Sequence, residues 1–180
     1  AGTALLFSGS NSVVTIPSNP QIAGLNGDMT LVFWMKKGAT DITGAMLPIA
    51  RREFGNRIHF ITYMQPGGVA FQCCSAGGSD WGAFYTPGGN GLATLNDGAW
   101  HQIAISHRFG AGGTTTLYLD GAQLAGSYLF GAAGASAPTI VADLLIGRQA
   151  STSAGQFEGY LDNVYIFNTI LTPSQIAQLP

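Results

Sequence analysis

The chain has 180 residues, 46% hydrophobic and only 9% charged, with seven Lys and Arg against nine Asp and Glu for a net charge of −2. Seven cations are too few for a phosphate-neutralising patch, which excludes an electrostatic nucleic-acid binder, and no apolar run approaches the roughly 18 residues of a membrane span. High apolar content with low charge is the reverse of a disordered composition, so one folded domain over residues 1–180 is expected, its polar surface made of Ser, Thr, Asn, Gln and 26 glycines.

Strand patterns dominate and turn residues separate them, which indicates an all-β chain. Residues 5–7 and 13–16 flank Ser8-Gly9-Ser10-Asn11. Residues 29–36 alternate: Met29, Leu31, Phe33 and Met35 share one face, and Thr30, Val32, Trp34 and Lys36 share the other. Further strands are expected over 46–50, 57–64, 69–74, 82–85, 100–107 and 114–119, then from Leu144, and over 160–167. Asp120-Gly121 is a hairpin turn, because both central residues tolerate positive φ, and Asn96-Asp97-Gly98 is another.

Helical periodicity before residue 172 is confined to a weak pattern over 20–25. At the end, Thr172 is an N-cap, Pro173 occupies the first helical position and Gln175 completes a capping box. Ile176 and Leu179 then stand one turn apart on one face, and so short a helix must dock to persist. Many short antiparallel strands closed by such a helix predict two packed sheets in a jelly roll or sandwich.

The segment LLIGRQASTSAGQFEGYLDNVYIFNTILTPSQIAQL, from Leu144 to Leu179, spaces Gly159, Leu161, Asp162, Val164 and Ile166 in a pattern that resembles the closing signature of laminin-G-like (concanavalin A-like) jelly-roll domains. ALLFSGSNSVVTIP resembles the family's opening strand pair, GDMTLVFWMK its next strand, and DGAWHQIAIS with TTLYLDGAQL its central hairpin, all in family order. The resemblance implies an all-β, two-sheet antiparallel jelly roll with a short C-terminal helix. It also implies an extracellular binding module, often for carbohydrate and only sometimes part of an enzyme. Relatives often hold one calcium ion between the N-terminal loop and the strand bearing Asp162. Here the loop reads SGSN without the acid relatives commonly carry near Ser8, so Asn11 and carbonyls would have to contribute. The cofactor expectation is therefore either none or one structural calcium on Asp162 and Asn11; the alternative for Asp162 is a backbone hydrogen bond at a strand start.

Catalysis finds little support. Glycoside hydrolysis requires two carboxyls about 5–9 Å apart, yet Glu53 and Glu158 are the only glutamates and no strand carries two alternating acids. Asp97, Asp120 and Asp162 lie at turns or strand ends, and no G-x-S-x-G elbow exists. His101 and His107 share the face of Ile103 and Ile105 and read as satisfied core or interface residues. Adjacent Cys73 and Cys74 are either two small thiols or a bridged pair forming a flat stacking surface for ligand.

Sugar binding asks for aromatic platforms and planar polar groups. Trp81 and Tyr85, in GGSDWGAFYTPGG, supply the first unless Trp81 merely caps the sandwich edge. Arg52, His59, Tyr63, Gln72 and Arg148 supply the second if their strands form the concave sheet, with His59 sharing the face of Ile61 and Tyr63. Trp34 and Trp100 are expected in the core. The reading is a non-catalytic recognition module at an extracellular, cell or virion surface, with carbohydrate as partner. The alternative is a structural surface subunit, such as a virion decoration or fibre protein, packed against neighbouring protein subunits.

Overall fold

The structure, a computed structural model, describes residues 3–9, 12–37, 46–53, 57–65, 68–76, 82–85, 95–130, 136–148 and 155–180; at 65, 68, 74–76, 82–85, 129 and 130 it describes the backbone alone. In chain order the elements are β1 (Leu5–Ser8), β2 (Val14–Ile16), α1 (Pro20–Ala23), β3 (Asp28–Lys36), β4 (Ile49–Arg52), β5 (Arg57–Gln65) and β6 (Gly68–Ala76). There follow β7 (Gly82–Tyr85), β8 (Trp100–Arg108), β9 (Thr115–Leu119), β10 (Ala122–Leu124), β11 (Ser127–Phe130), β12 (Leu144–Ile146), β13 (Glu158–Phe167) and α2 (Pro173–Ile176). A six-stranded sheet runs β1-β13-β3-β8-β9-β10 and a seven-stranded sheet runs β11-β7-β6-β5-β4-β12-β2. Neighbours pair antiparallel, so the two-sheet jelly-roll expectation holds.

The core lies between the sheets. Met29, Leu31, Phe33 and Met35 of β3 enter it beside Ile103, Ile105, Leu117 and Leu161, against Ile49, Phe60, Met64, Phe71, Leu144 and Ile146 of the other sheet. The period-two reading of β3 is thereby confirmed. Asp120 and Gly121 take φ of 49° and 78° in the β9–β10 turn, as the Asp-Gly pair requires. Gly159 is obligatory for another reason: at φ 136° a Cβ would lie 2.6 Å from the Lys36 carbonyl oxygen and against the Phe157 ring. Only glycine lets β13 pass this close to β3.

Several boundaries differ from expectation. Met46 makes an isolated bridge with Met64, and regular pairing of that segment begins at Ile49. The pattern over 20–25 is a short helix, because the Asn19 side chain accepts the Ile22 N–H and Pro20 opens its first turn. β10 completes the hairpin implied by the Asp120-Gly121 turn, while β11 was not expected from its short, mixed sequence. Among the described residues no helix is long and apolar enough to cross a membrane.

Candidate functional site

The outer face of the six-stranded sheet is divided in two. At one end Val32, Ala104 and Tyr118 are covered by Ile176 of α2, with Tyr165, Phe167, Leu171 and Leu179 packed around them. Thr172 accepts the Gln175 N–H at 3.3 Å and Gln175 Oε1 accepts the Thr172 N–H at 2.8 Å, so the capping box forms as the sequence requires. The Thr30 hydroxyl donates to the Thr169 carbonyl at 2.7 Å and accepts the Leu171 N–H at 3.0 Å, fixing the approach to the helix.

The cover ends at the next row of the sheet. There Gln102 Nε2 donates to the Ile176 and Leu179 carbonyls, and Trp34 Nε1 donates to the Pro180 oxygen at 2.8 Å. One row further on, Leu6, Tyr160, Lys36 and Trp100 stand in direct cross-strand register on β1, β13, β3 and β8. They are uncovered: Trp100 is 38% exposed, Tyr160 40% and Leu6 62%. The Trp100 and Tyr160 rings meet edge to face with centroids 6.3 Å apart. They lean together above Lys36, since two strand spacings separate their backbones by roughly 10 Å. Ala4, Lys36, Trp100 and Tyr160 line a depression of about 410 Å³. On the other side of Tyr160, Leu6, Ser8, Glu158 and Gly159 help line a second of about 340 Å³.

Trp34 and Trp100 are therefore not core residues. Period-two parity explains the difference: if His101, Ile103 and Ile105 face inward, Trp100 faces out, and Trp34 follows Val32 and Lys36 outward. That parity was the available signal for this site.

The residues expected to bind ligand are scattered. Trp81 and Asn11 lie outside the described residues, and Tyr85 is placed as backbone at the end of β7, paired with Ala70 and Ser127. Tyr63 packs on the outer cluster of the seven-stranded sheet, made of Leu47, Ala50, Ile58 and Ile61. Gln72 pairs with Ile61, and Arg52 with Ile58. Gln72 is buried, while Arg52 and Tyr63 are half-buried. Arg148 follows β12, half-buried, with its Nε enclosed.

His59 does not share the face of Ile61 and Tyr63. A bulge where Arg51 and Arg52 of β4 pair with Phe60 and Ile58 turns His59 inward beside Phe60. It is 1% exposed, stacks on Phe109, accepts from Arg51 Nη1 at Nδ1 (2.6 Å) and donates from Nε2 to the Leu25 carbonyl (2.5 Å). Burial, and then the Arg51 cation, push its pKa down to about 4. Arg51 also reaches the Ile140 and Ala142 carbonyls, while Glu53 accepts the Val141 N–H at 2.6 Å and an Arg57 ion pair at 2.7 Å. These side chains strap residues 139–143 to the sheet.

His107 faces the core as expected. Its Nδ1 lies 2.8 Å from the Thr115 hydroxyl, which meets the Tyr128 hydroxyl, and its Nε2 lies 3.4 Å from Cys73 Sγ. Burial, then the nearby His59, lower its pKa to about 3. Cys73 is disulfide-bonded and no described cysteine is free, which overturns the two-thiol reading. Cys73 is also fully buried, so its sulfur offers no stacking surface to a ligand.

Asp97 and Asp120 converge, but on an imidazole. His101 Nε2 is 3.2 Å from Asp97 Oδ1 and its Nδ1 is 2.8 Å from Asp120 Oδ2. Burial alone would lower the His101 pKa; the hydrogen bonds to Asp120 and Asp97 outweigh it and raise it. Asp97 is lowered by the Ala99 N–H and then by His101, and Asp28 chiefly by Arg108. These downward shifts are opposite to what a glycosidase's general acid needs. Asp162 Oδ1 accepts the Asn163 N–H at 2.8 Å, the backbone role weighed against calcium. The acid facing the opening loop is Glu158, paired with Ser8 and four residues before Asp162. Among the described residues no three His, Cys, Asp or Glu gather as a metal site.

A laminin-G-type family profile, described as the concanavalin A-like lectin/glucanases superfamily, matches residues 8–177. No curated protein matches in sequence. Among solved structures, the binding domain of Paraclostridial Mosquitocidal Protein 1 is similar with a TM-score of 0.71 and 14% identity, over 98% of this chain but only 42% of that one. The Ruminococcus gnavus IT-sialidase CBM40, bound to alpha2,3 sialyllactose, matches with a TM-score of 0.69 and 15% identity over 99% of this chain and 97% of that one. Domain 4 of AbnA, an extracellular arabinanase from Geobacillus stearothermophilus, in complex with arabinotriose, matches with a TM-score of 0.63 and 20% identity over 99% and 76%. At such identities the likeness is one of fold.

Proposed function

The chain belongs to the concanavalin A-like lectin/glucanases superfamily, and from that premise we propose that it is a non-catalytic recognition module that binds glycan on the open end of its six-stranded sheet. The observation that carries this reading is the uncovered Trp100–Tyr160 pair over Lys36. Apolar sugar faces stack on such rings, and the half-exposed position of each leaves its face available at little cost in core packing. Two similar folds are described in complex with sugars, which supports glycan as the ligand class. The Cys73 disulfide supports an oxidising, extracellular setting. The non-catalytic reading is supported by the downward pKa shifts of Asp28 and Asp97, which are opposite to what a proton donor needs.

A structural surface subunit is the second reading, favoured by Leu5 and Leu6, 53% and 62% exposed beside the same row. A glycan array combined with sizing chromatography separates the two. Glycan binding by a monomer, weakened at least about tenfold by Trp100→Ala or Tyr160→Ala with little change in melting temperature, supports recognition. Stable oligomers that bind no glycan support the subunit.

A further inference from the structure

We infer that the glycan held on this face carries a carboxylate, selected by Lys36; the inference rests on the recognition reading above. Only seven cations occur in the chain. Arg57 is paired with Glu53, Arg108 with Asp28, Arg51 lies buried on His59 and backbone carbonyls, Lys37 is buried, and Arg52 on β4 and Arg148 just after β12 belong to the other sheet. Lys36 is half-exposed, with no acid within salt-bridge distance among the described residues, and its neighbours in register are Tyr160 and Trp100. It is the one charged residue of the four lining that depression. A lysine set in register between two aromatic residues can lay its stem along them while its ammonium stays in water.

A sugar stacked on either ring therefore meets one positive charge at its edge and needs an acidic substituent to match it. Tyr160 also sets the direction. Glu158 and Asp162 flank it along β13, and Glu158 lines the separate depression on its far side. Glu158 shares that depression with Lys37, whereas the one beside Trp100 is lined by Lys36 and no acid, and an anion is favoured there. Lysine acts as a point charge without the planar fork of arginine, which suits a carboxylate whose ring orientation is set by stacking.

The test is an array of uronate- and sialate-bearing oligosaccharides, each printed beside its own methyl ester, probed with the full chain at low and high salt. The expected result is binding of the free acid about fivefold to tenfold tighter than its ester, with the difference shrinking as salt rises. Lys36→Met should reduce affinity for the acid to that for the ester. Arg108→Met, which removes the same charge from the distant Asp28 pair, should keep the preference. Equal affinity of the wild type for acid and ester overturns the carboxylate inference and leaves the stacking reading standing. Binding to no glycan overturns both. A preference lost equally in Arg108→Met would assign it to overall charge and also overturn the role of Lys36.

Discussion

His101 shows how two loop acids that look unconnected in sequence become one unit. With carboxylates on both ring nitrogens, the protonated imidazole can donate twice, which favours the cation. Its folded pKa lies above the ordinary 6.5, so its contribution is complete below that value and is lost as pH rises through the folded pKa. Asp120→Asn keeps the positive φ of 49°, which Asn tolerates, while removing one charge. The variant should be less stable by up to about 1 kcal/mol at pH 6, a range set by partial solvent screening, and match the wild type at high pH. NMR titration should show its His101 pKa below that of the wild type; an unmoved pKa would remove Asp120 from the clamp. The arrangement was hidden in sequence because the convergence of Asp97 and Asp120 on His101 depends on the β8–β9 hairpin. The position of His59 was hidden because a single bulge shifts the alternation that otherwise predicts its face. Trp100 was legible by parity, and its bulk alone misled.

At the scale of elements, α2 is held by what it covers rather than by its own four residues. Ile176 is fully buried against Val32, Ala104 and Tyr118, a site that cannot collapse when a β-sheet forms its floor. Ile176→Ala should therefore cost about 2–4 kcal/mol in urea unfolding. A loss below about 0.5 kcal/mol would show the helix to be an appendage. This element was readable end to end, from the Thr172 cap to the apolar pair, because capping is local chemistry. The strands β3 and β8 were readable because large apolar residues recur at every second position, although both faces of their middle are buried, one in the core and one under α2. β10 was readable only through the Asp120-Gly121 turn before it, and β11 was not, since four residues of mixed character carry no period. Nor could the sequence show which rows α2 covers; Trp34 meets the Pro180 carbonyl and Gln102 those of Ile176 and Leu179, one row from Trp100.

At the scale of the molecule, two sets of histidines oppose one another across pH. His59 and His107 meet through Phe109, with Arg51 and Leu25 beside the one and Cys73, Thr115 and Tyr128 beside the other. Their folded pKa values, about 4 and about 3, lie below the ordinary 6.5 of the unfolded chain. Between those limits the unfolded state binds more protons, so stability is retained above about 6.5 and falls as pH drops toward the folded values. Each group costs about 1.4 kcal/mol per pH unit, so the pair removes roughly 4 kcal/mol by pH 5, a large part of the 5–15 kcal/mol typical of a folded domain. His101 acts on the other limb, weakening the fold as pH rises above the same point. Stability should accordingly peak near pH 6.5, and urea midpoints taken at half-unit steps from pH 5 to 9 would trace it. Asp120→Asn should flatten the alkaline limb and leave the acid limb unchanged, because the core histidines share no partner with His101. A midpoint at pH 5 equal to that at pH 6.5 would mean that the two buried rings are not held neutral, and the core network would have to be redrawn.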